Sequence, residues 1–167
     1  KHNPGNTVSN LSSSRALKDV SGLNGCNHFF SAVGEVNVVE LMKKKNAVIG
    51  GEGNGGIILP DLHYGRDALV GIALFLSHLA NLNISCSQLR SKYPSYFMSK
   101  DKIMLDKTVN VDKIINEISK KYSDQEINNE DGLKIDFENS WVQLRKSNTE
   151  PIIRVYSEAK SQEEANM

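Results

Sequence analysis

The sequence predicts an α/β piece of βαβ units on a mixed sheet, followed by a small α+β domain with an antiparallel sheet. Three observations carry this reading. Up to residue 98, short β-type runs alternate with helix-period runs, the pattern of parallel strands joined by helices. Beyond it that alternation gives way to closely spaced strand patterns and a hairpin signal at Asp131-Gly132. The length, 167 residues with 39% hydrophobic and 24% charged, suffices to bury a core in one domain or two small ones. The expected division is residues 1–98 and 99–167.

Residues 7–11 form the first expected strand, and Ser12, Ser13 and Ser14 offer N-cap hydroxyls for a helix to about Val20. A second strand covers 28–33. A helix from Glu35 comes next, with Val36, Val39 and Met42 at a helical interval. Lys43, Lys44 and Lys45 complement its C-terminal dipole, and Asn46 can stop it. Residues 47–49 read as a third strand, and 57–59 resume extended structure after a glycine-rich loop. Asp67 can cap the apolar run 68–82, which reads as a buried helix. The stretch 85–94 is polar and punctuated, and 96–105 is extended. Val111, Ile114, Ile115, Ile118 and Tyr122 mark one face of a helix. Strands are expected on either side of Asp131-Gly132, then at 141–144 and 152–156, with a final helix capped by Ser161.

Lys+Arg and Asp+Glu number 20 each, so no basic excess marks a nucleic-acid or anionic-membrane partner. Gly71, Ser77, His78 and Asn81 interrupt the run 68–82, which is shorter than the roughly 20 apolar residues of a membrane span. Cys26 and Cys86 fit no CxxC or zinc spacing, which suggests a reducing compartment. The N-terminus has no signal-peptide pattern and does not start with Met, so a fragment or a processed product is expected.

Two loops stand out. Gly51, Gly53 and Gly56 satisfy GxGxxG, yet the extended Ile57-Ile58-Leu59-Pro60 comes where a dinucleotide fingerprint must open a helix. The glycines of this loop would let a ligand approach the backbone closely, while Glu52 accepts and Asn54 both accepts and donates hydrogen bonds. That chemistry suits sugar hydroxyls; the plain alternative is a turn that uses its glycines for backbone freedom alone. The segment 145–151 has an anion cradle's composition: Arg145 brings a planar fork, and Ser147 and Thr149 bring hydroxyls. Its plain alternative is a β-connection. Arg154, just beyond, would add charge or be solvated. His2-Asn3-Pro4 lacks the serine that would make it a nucleophile loop, because Lys1 stands there.

Together, Gly51-Glu52-Gly53-Asn54-Gly55-Gly56 and Arg145-Lys146-Ser147-Asn148-Thr149-Glu150-Pro151 resemble the α-D-phosphohexomutases, and Val33-Gly34-Glu35 resembles the loop before the second helix of that family's third domain. The resemblance implies most of the third and then the fourth of four domains: the C-terminal half of a cytoplasmic enzyme moving a phosphoryl group between the 1- and 6-positions of a hexose or hexosamine phosphate. A phosphoserine and a hexose bisphosphate intermediate would carry the transfer. It implies sugar binding by Glu52, Gly53, Asn54 and Gly55, and binding of the phosphate not being transferred by Arg145, Ser147, Asn148 and Thr149. Glu35, His63, Arg66 and Arg154 could line the cleft. Neither the phosphoserine motif nor an Asp-rich magnesium loop occurs in the chain, so catalytic residues and Mg2+ ligands are expected outside it. Many relatives read Gly-Glu-x-Ser-Gly-His, where this chain has Asn54 for the serine and Gly56 for the histidine. A non-catalytic sugar-phosphate binding module is the alternative.

Overall fold

In the computed structural model, which describes residues 4–106, 109–147 and 150–166, the chain divides into two units between Ser95 and Tyr96. The first is built on strands β1 (Thr7–Asn10), β2 (His28–Ser31), β3 (Ile49–Gly51) and β4 (Ile57–Ile58), in the order β2-β1-β3-β4. The first three are parallel and β4 runs antiparallel to β3, so the sheet is mixed as the sequence predicts.

Strand alternation sends successive β1 residues to opposite faces. Val8 is fully buried with Val38 and Met42 of helix α2 (Glu35–Lys45), along with Ala47 and Ile58. Ser9 instead lines a cavity of about 340 Å³ with Ala16 and Leu17 of helix α1 (Ala16–Leu23). Asn46 ends α2 in the left-handed conformation at φ 49°, a role asparagine tolerates better than most residues. Helix α1 begins one residue after Arg15, and none of the three serines caps it in the expected way; Ser14 Oγ accepts from the Ala16 N–H at 3.2 Å. Helix α1 also runs three residues past Val20, where Ser21 is buried and its hydroxyl hydrogen-bonds Thr7 Oγ1 of β1 at 2.7 Å.

Helix α3 (Ala68–Leu82) departs most from expectation. It forms as predicted and Asp67 caps it, accepting from Leu69 N at 2.8 Å and Val70 N at 3.0 Å. Yet none of its residues is buried, and Leu69, Ile72 and Phe75 stand exposed. Apolarity on all sides states what a helix would gain by burial, whereas burial itself needs neighbours on every side. Here the two-residue β4 meets it at Gly71, where an added Cβ would lie 3.0 Å from Ile57 Cγ1. The polar stretch after it is not irregular: helix α4 (Cys86–Arg90) starts on a capping box of Ser85 and Gln88.

The second unit carries strands β5 (Phe97–Met104), β6 (Glu126–Asn128), β7 (Leu133–Asp136), β8 (Trp141–Lys146) and β9 (Ile152–Ala159). Their order is β5-β9-β8-β7-β6, and every neighbouring pair is antiparallel. A division after residue 98 would split β5, which pairs along its whole length with β9; the units part three residues earlier. Helix α5 (Val111–Lys121) packs on β7, and helix α6 (Gln162–Ala165), capped by Ser161, packs on β5 and β9. Trp141 is fully buried and donates its indole N–H to Glu158 Oε1 at 2.9 Å. Gly132 sits at φ +79° in the β6–β7 turn, pressed against the backbone of Leu144, so a side chain there would be strained twice over.

Candidate functional site

In open parallel sheets, ligands bind beyond the carboxyl ends of the strands where the chain's winding reverses. Here that point lies between β1 and β3: the chain leaves β1 outward to β2, then returns across β1 to β3. Glu52 is the first residue after β3, at that crevice, and its side chain is only 8% exposed. Its Oε1 accepts from Asn10 Nδ2 at 2.8 Å and from the Gly34 N–H at 3.2 Å, while Oε2 lies 3.5 Å from Arg66 Nη1. Asn10 is oriented in turn by Ser13, whose hydroxyl donates to Asn10 Oδ1 at 2.7 Å. The end of β1, the N-cap of α2 and the residue after β3 thus meet at this carboxylate.

The Glu52 loop closes tightly: Glu52 N donates to Gly56 O at 3.1 Å and Gly55 N to Glu52 O at 3.2 Å. Gly55 takes φ +89°, which glycine adopts without strain, and Gly53 lies against Ser13. Asn54 turns back on the loop, its Oδ1 accepting from Gly56 N at 3.0 Å, which leaves its NH2 group as the end it can offer a ligand.

Of the further cleft candidates, the structure brings Glu35 and Arg66 to Glu52. Glu35 accepts from the Arg66 backbone N–H at 3.0 Å and from Arg66 Nε at 2.8 Å. These bonds, the backbone one first, hold the Glu35 carboxyl below the usual carboxylate range. His63 pairs elsewhere, lying 3.2 Å from Asp67 Oδ2. Asp67 is itself held below the usual range, by the Val70 N–H first and then by His63, so His63 belongs to the helix cap.

In the second unit, Arg145 lies in β8 rather than in the loop after it, because pairing with β9 continues to Lys146. Its Nε donates to Asp131 Oδ1 at 2.9 Å, and the pair is partly exposed, at 27% and 19%. Ser147 N closes the connection on Ile152 O at 3.0 Å, and Ser147 Oγ accepts from Glu150 N at 3.3 Å. Asn148 and Thr149 lie outside the described residues, as do His2 and Asn3. Arg154 stands directly across from Arg145 on one side and Lys102 on the other, with Glu150 Oε2 3.5 Å from its Nη2. Like charges in register repel. With Lys100 and Tyr156, Lys102 and Arg154 line a cleft of about 370 Å³ beside the connection.

Sequence reasoning misses Asn10, Ser13 and Asp131. The first two are within its reach, since polar residues at the end of the first parallel strand point to a crevice there. Asp131 reads in the sequence only as a turn residue. Among the described residues, no three His, Cys, Asp or Glu side chains gather to hold a metal ion, and no helix is long and apolar enough to cross a membrane.

Comparison with known proteins adds to this geometry. The family model described as phosphoglucomutase/phosphomannomutase, alpha/beta/alpha domain III, matches residues 1–96. That described as phosphoglucomutase/phosphomannomutase, C-terminal domain, matches residues 101–167. A phosphoglucomutase/phosphomannomutase of Thermococcus kodakarensis is 37% identical over 160 residues, 95% of this chain and 35% of the relative. Among solved structures, a phosphoglucomutase/phosphomannomutase family protein from Burkholderia thailandensis aligns with a TM-score of 0.79 at 23% identity, over 99% of this chain and 36% of that one. Aspergillus fumigatus N-acetylphosphoglucosamine mutase, solved with GlcNAc-6P and magnesium, aligns at 0.68 and 14%, over 98% and 39%. The chain therefore spans about a third of the length of the relative at 35%.

Proposed function

Because the chain belongs to the phosphoglucomutase/phosphomannomutase family, matching its domain III and its C-terminal domain, we propose that it supplies the sugar and distal-phosphate sites of a phosphosugar mutase. In the complete protein, a phosphoserine outside this chain exchanges its phosphoryl group with the 1- and 6-hydroxyls of a hexose or hexosamine phosphate, through a hexose bisphosphate. Magnesium is held by residues outside this chain, and the protein works in the cytoplasm.

The observation that carries this reading is Glu52, a nearly buried carboxylate pinned at the sheet's crevice with one oxygen fully committed and the other turned to Arg66. Such an acceptor suits a sugar hydroxyl, and the NH2 of Asn54 adds a donor. In the second unit, Arg145 is aimed by Asp131, and Ser147, Asn148 and Thr149 complete the cradle for the phosphate that is not being transferred. Asn148 and Thr149 enter on the resemblance alone. Phosphoryl transfer depends mainly on positioning and charge stabilisation. Holding one phosphate and the ring orients the hydroxyl that reacts, which lowers the barrier through effective concentration.

Assaying the complete protein with the 1-phosphates of glucose, mannose and glucosamine tests the proposal. Conversion of at least one to its 6-phosphate is expected. Failure on all three, with magnesium and the bisphosphate present, would overturn it.

A further inference from the structure

We propose that Arg66 is a sugar-binding donor of the Glu52 loop, occupying the space that a side chain on residue 56 would fill; this rests on the sugar-site reading above. A Cβ placed on Gly56 would come 2.6 Å from Arg66 Cδ, closer than real Cβ atoms approach, and 3.1 Å from Cγ, a tight contact. The stem of Arg66 therefore crosses the loop where residue 56 has no side chain.

The guanidinium arrives fixed in direction. Nε is bound to Glu35 at 2.8 Å, the Arg66 backbone N–H to the other oxygen of the same carboxylate at 3.0 Å, and Nη1 stands 3.5 Å from Glu52 Oε2. Among the described residues Nη2 has no protein partner, and the side chain is 45% exposed. A planar donor fork thus stands beside the uncommitted oxygen of a carboxylate, and Glu35 holds it there at little further entropic cost. Donor next to acceptor is the complement of two adjacent ring hydroxyls, one accepting from Nη2 and the other donating to Glu52. The ligand class is a vicinal diol of the sugar ring, gripped by Arg66 and Glu52 together.

The test uses the complete protein and steady-state kinetics with the three hexose 1-phosphates, with inorganic phosphate inhibition as a separate readout of the Arg145 cradle. Arg66→Ala is expected to raise KM about tenfold or more, the loss of one charge-assisted hydrogen bond, while the inhibition constant of inorganic phosphate stays within about twofold. Arg66→Gln keeps the stem over Gly56 without the fork and should show the same KM rise, which guards against a folding defect in the alanine variant. Gly56→His alone should lower kcat/KM, because its ring and the Arg66 stem compete for one space. The double variant Arg66→Ala with Gly56→His should recover part of the loss seen in Arg66→Ala.

An unchanged KM in both Arg66 variants, or a double variant no better than Arg66→Ala, would overturn the assignment while leaving the mutase reading intact. A wild-type protein that turns over none of the three sugars would overturn that reading, and this one with it.

Discussion

Arg145 and Glu35 are each partly neutralised by a neighbour, and that governs how they respond to substitution and to pH. Arg145→Ala in the complete protein should weaken sugar-phosphate binding about tenfold or more, since a charge-assisted bond contributes roughly 1.5–3 kcal/mol. Arg145→Lys should recover only part, because an ammonium keeps the charge and loses the planar fork. Kinetics of both variants indistinguishable from wild type would return the segment to a plain β-connection. Glu35 has a lowered folded-state pKa, so its carboxylate stabilises the fold above the unfolded value, and that stability is lost as the pH falls through the folded one. The predicted window runs downward from the ordinary glutamate value of about 4.3. Chemical-shift titration of Glu35 should give a midpoint below that of a model peptide, and Arg66→Ala should raise it. An equal midpoint would show that the pair does not form in solution.

At the scale of elements, caps and turns are legible because their chemistry is local. Asp67, Ser161, Asn46 and Gly132 act where their residue types predict. Two of these positions can be tested through stability. Asp67→Ala should destabilise the first unit by about 1 kcal/mol, the usual cost of a lost N-cap. Gly132→Ala should cost about 1 kcal/mol or more, since a positive φ and a backbone contact both oppose the methyl group. Denaturant melts of the two variants would check this; unchanged midpoints would mean that the helix start and the turn relax freely. Element ends are less legible. Strand β8 runs two residues past the expected end because Arg145 and Lys146 find partners on β9, and a pairing partner nine and seven residues away respectively is not visible in a strand's own pattern.

For the molecule as a whole, phosphosugar turnover should be absent from the 167-residue chain alone, because neither a Ser-His-Asn-Pro run nor an Asp-rich metal loop occurs in it. Adding magnesium and a hexose 1,6-bisphosphate should not restore it. Isomerisation above a mock preparation would place a nucleophile within these residues and refute the division of labour proposed above.

The sequence by itself determined the alternation of strands and helices in the first unit, the antiparallel second unit, the two polar loops and their family. All of these rest on near-neighbour chemistry: periodicity, capping, turn residues and motif spacing. Only the tertiary structure decided which side chains meet. Glu52 is held by Asn10, Gly34 and Arg66 from three separate segments, and Arg145 by Asp131 from a turn 14 residues earlier. The same holds for helix α3, whose apolar residues announced a core and yet none of which is buried. Contacts between distant segments depend on strand order and register, which a residue's own neighbours do not encode.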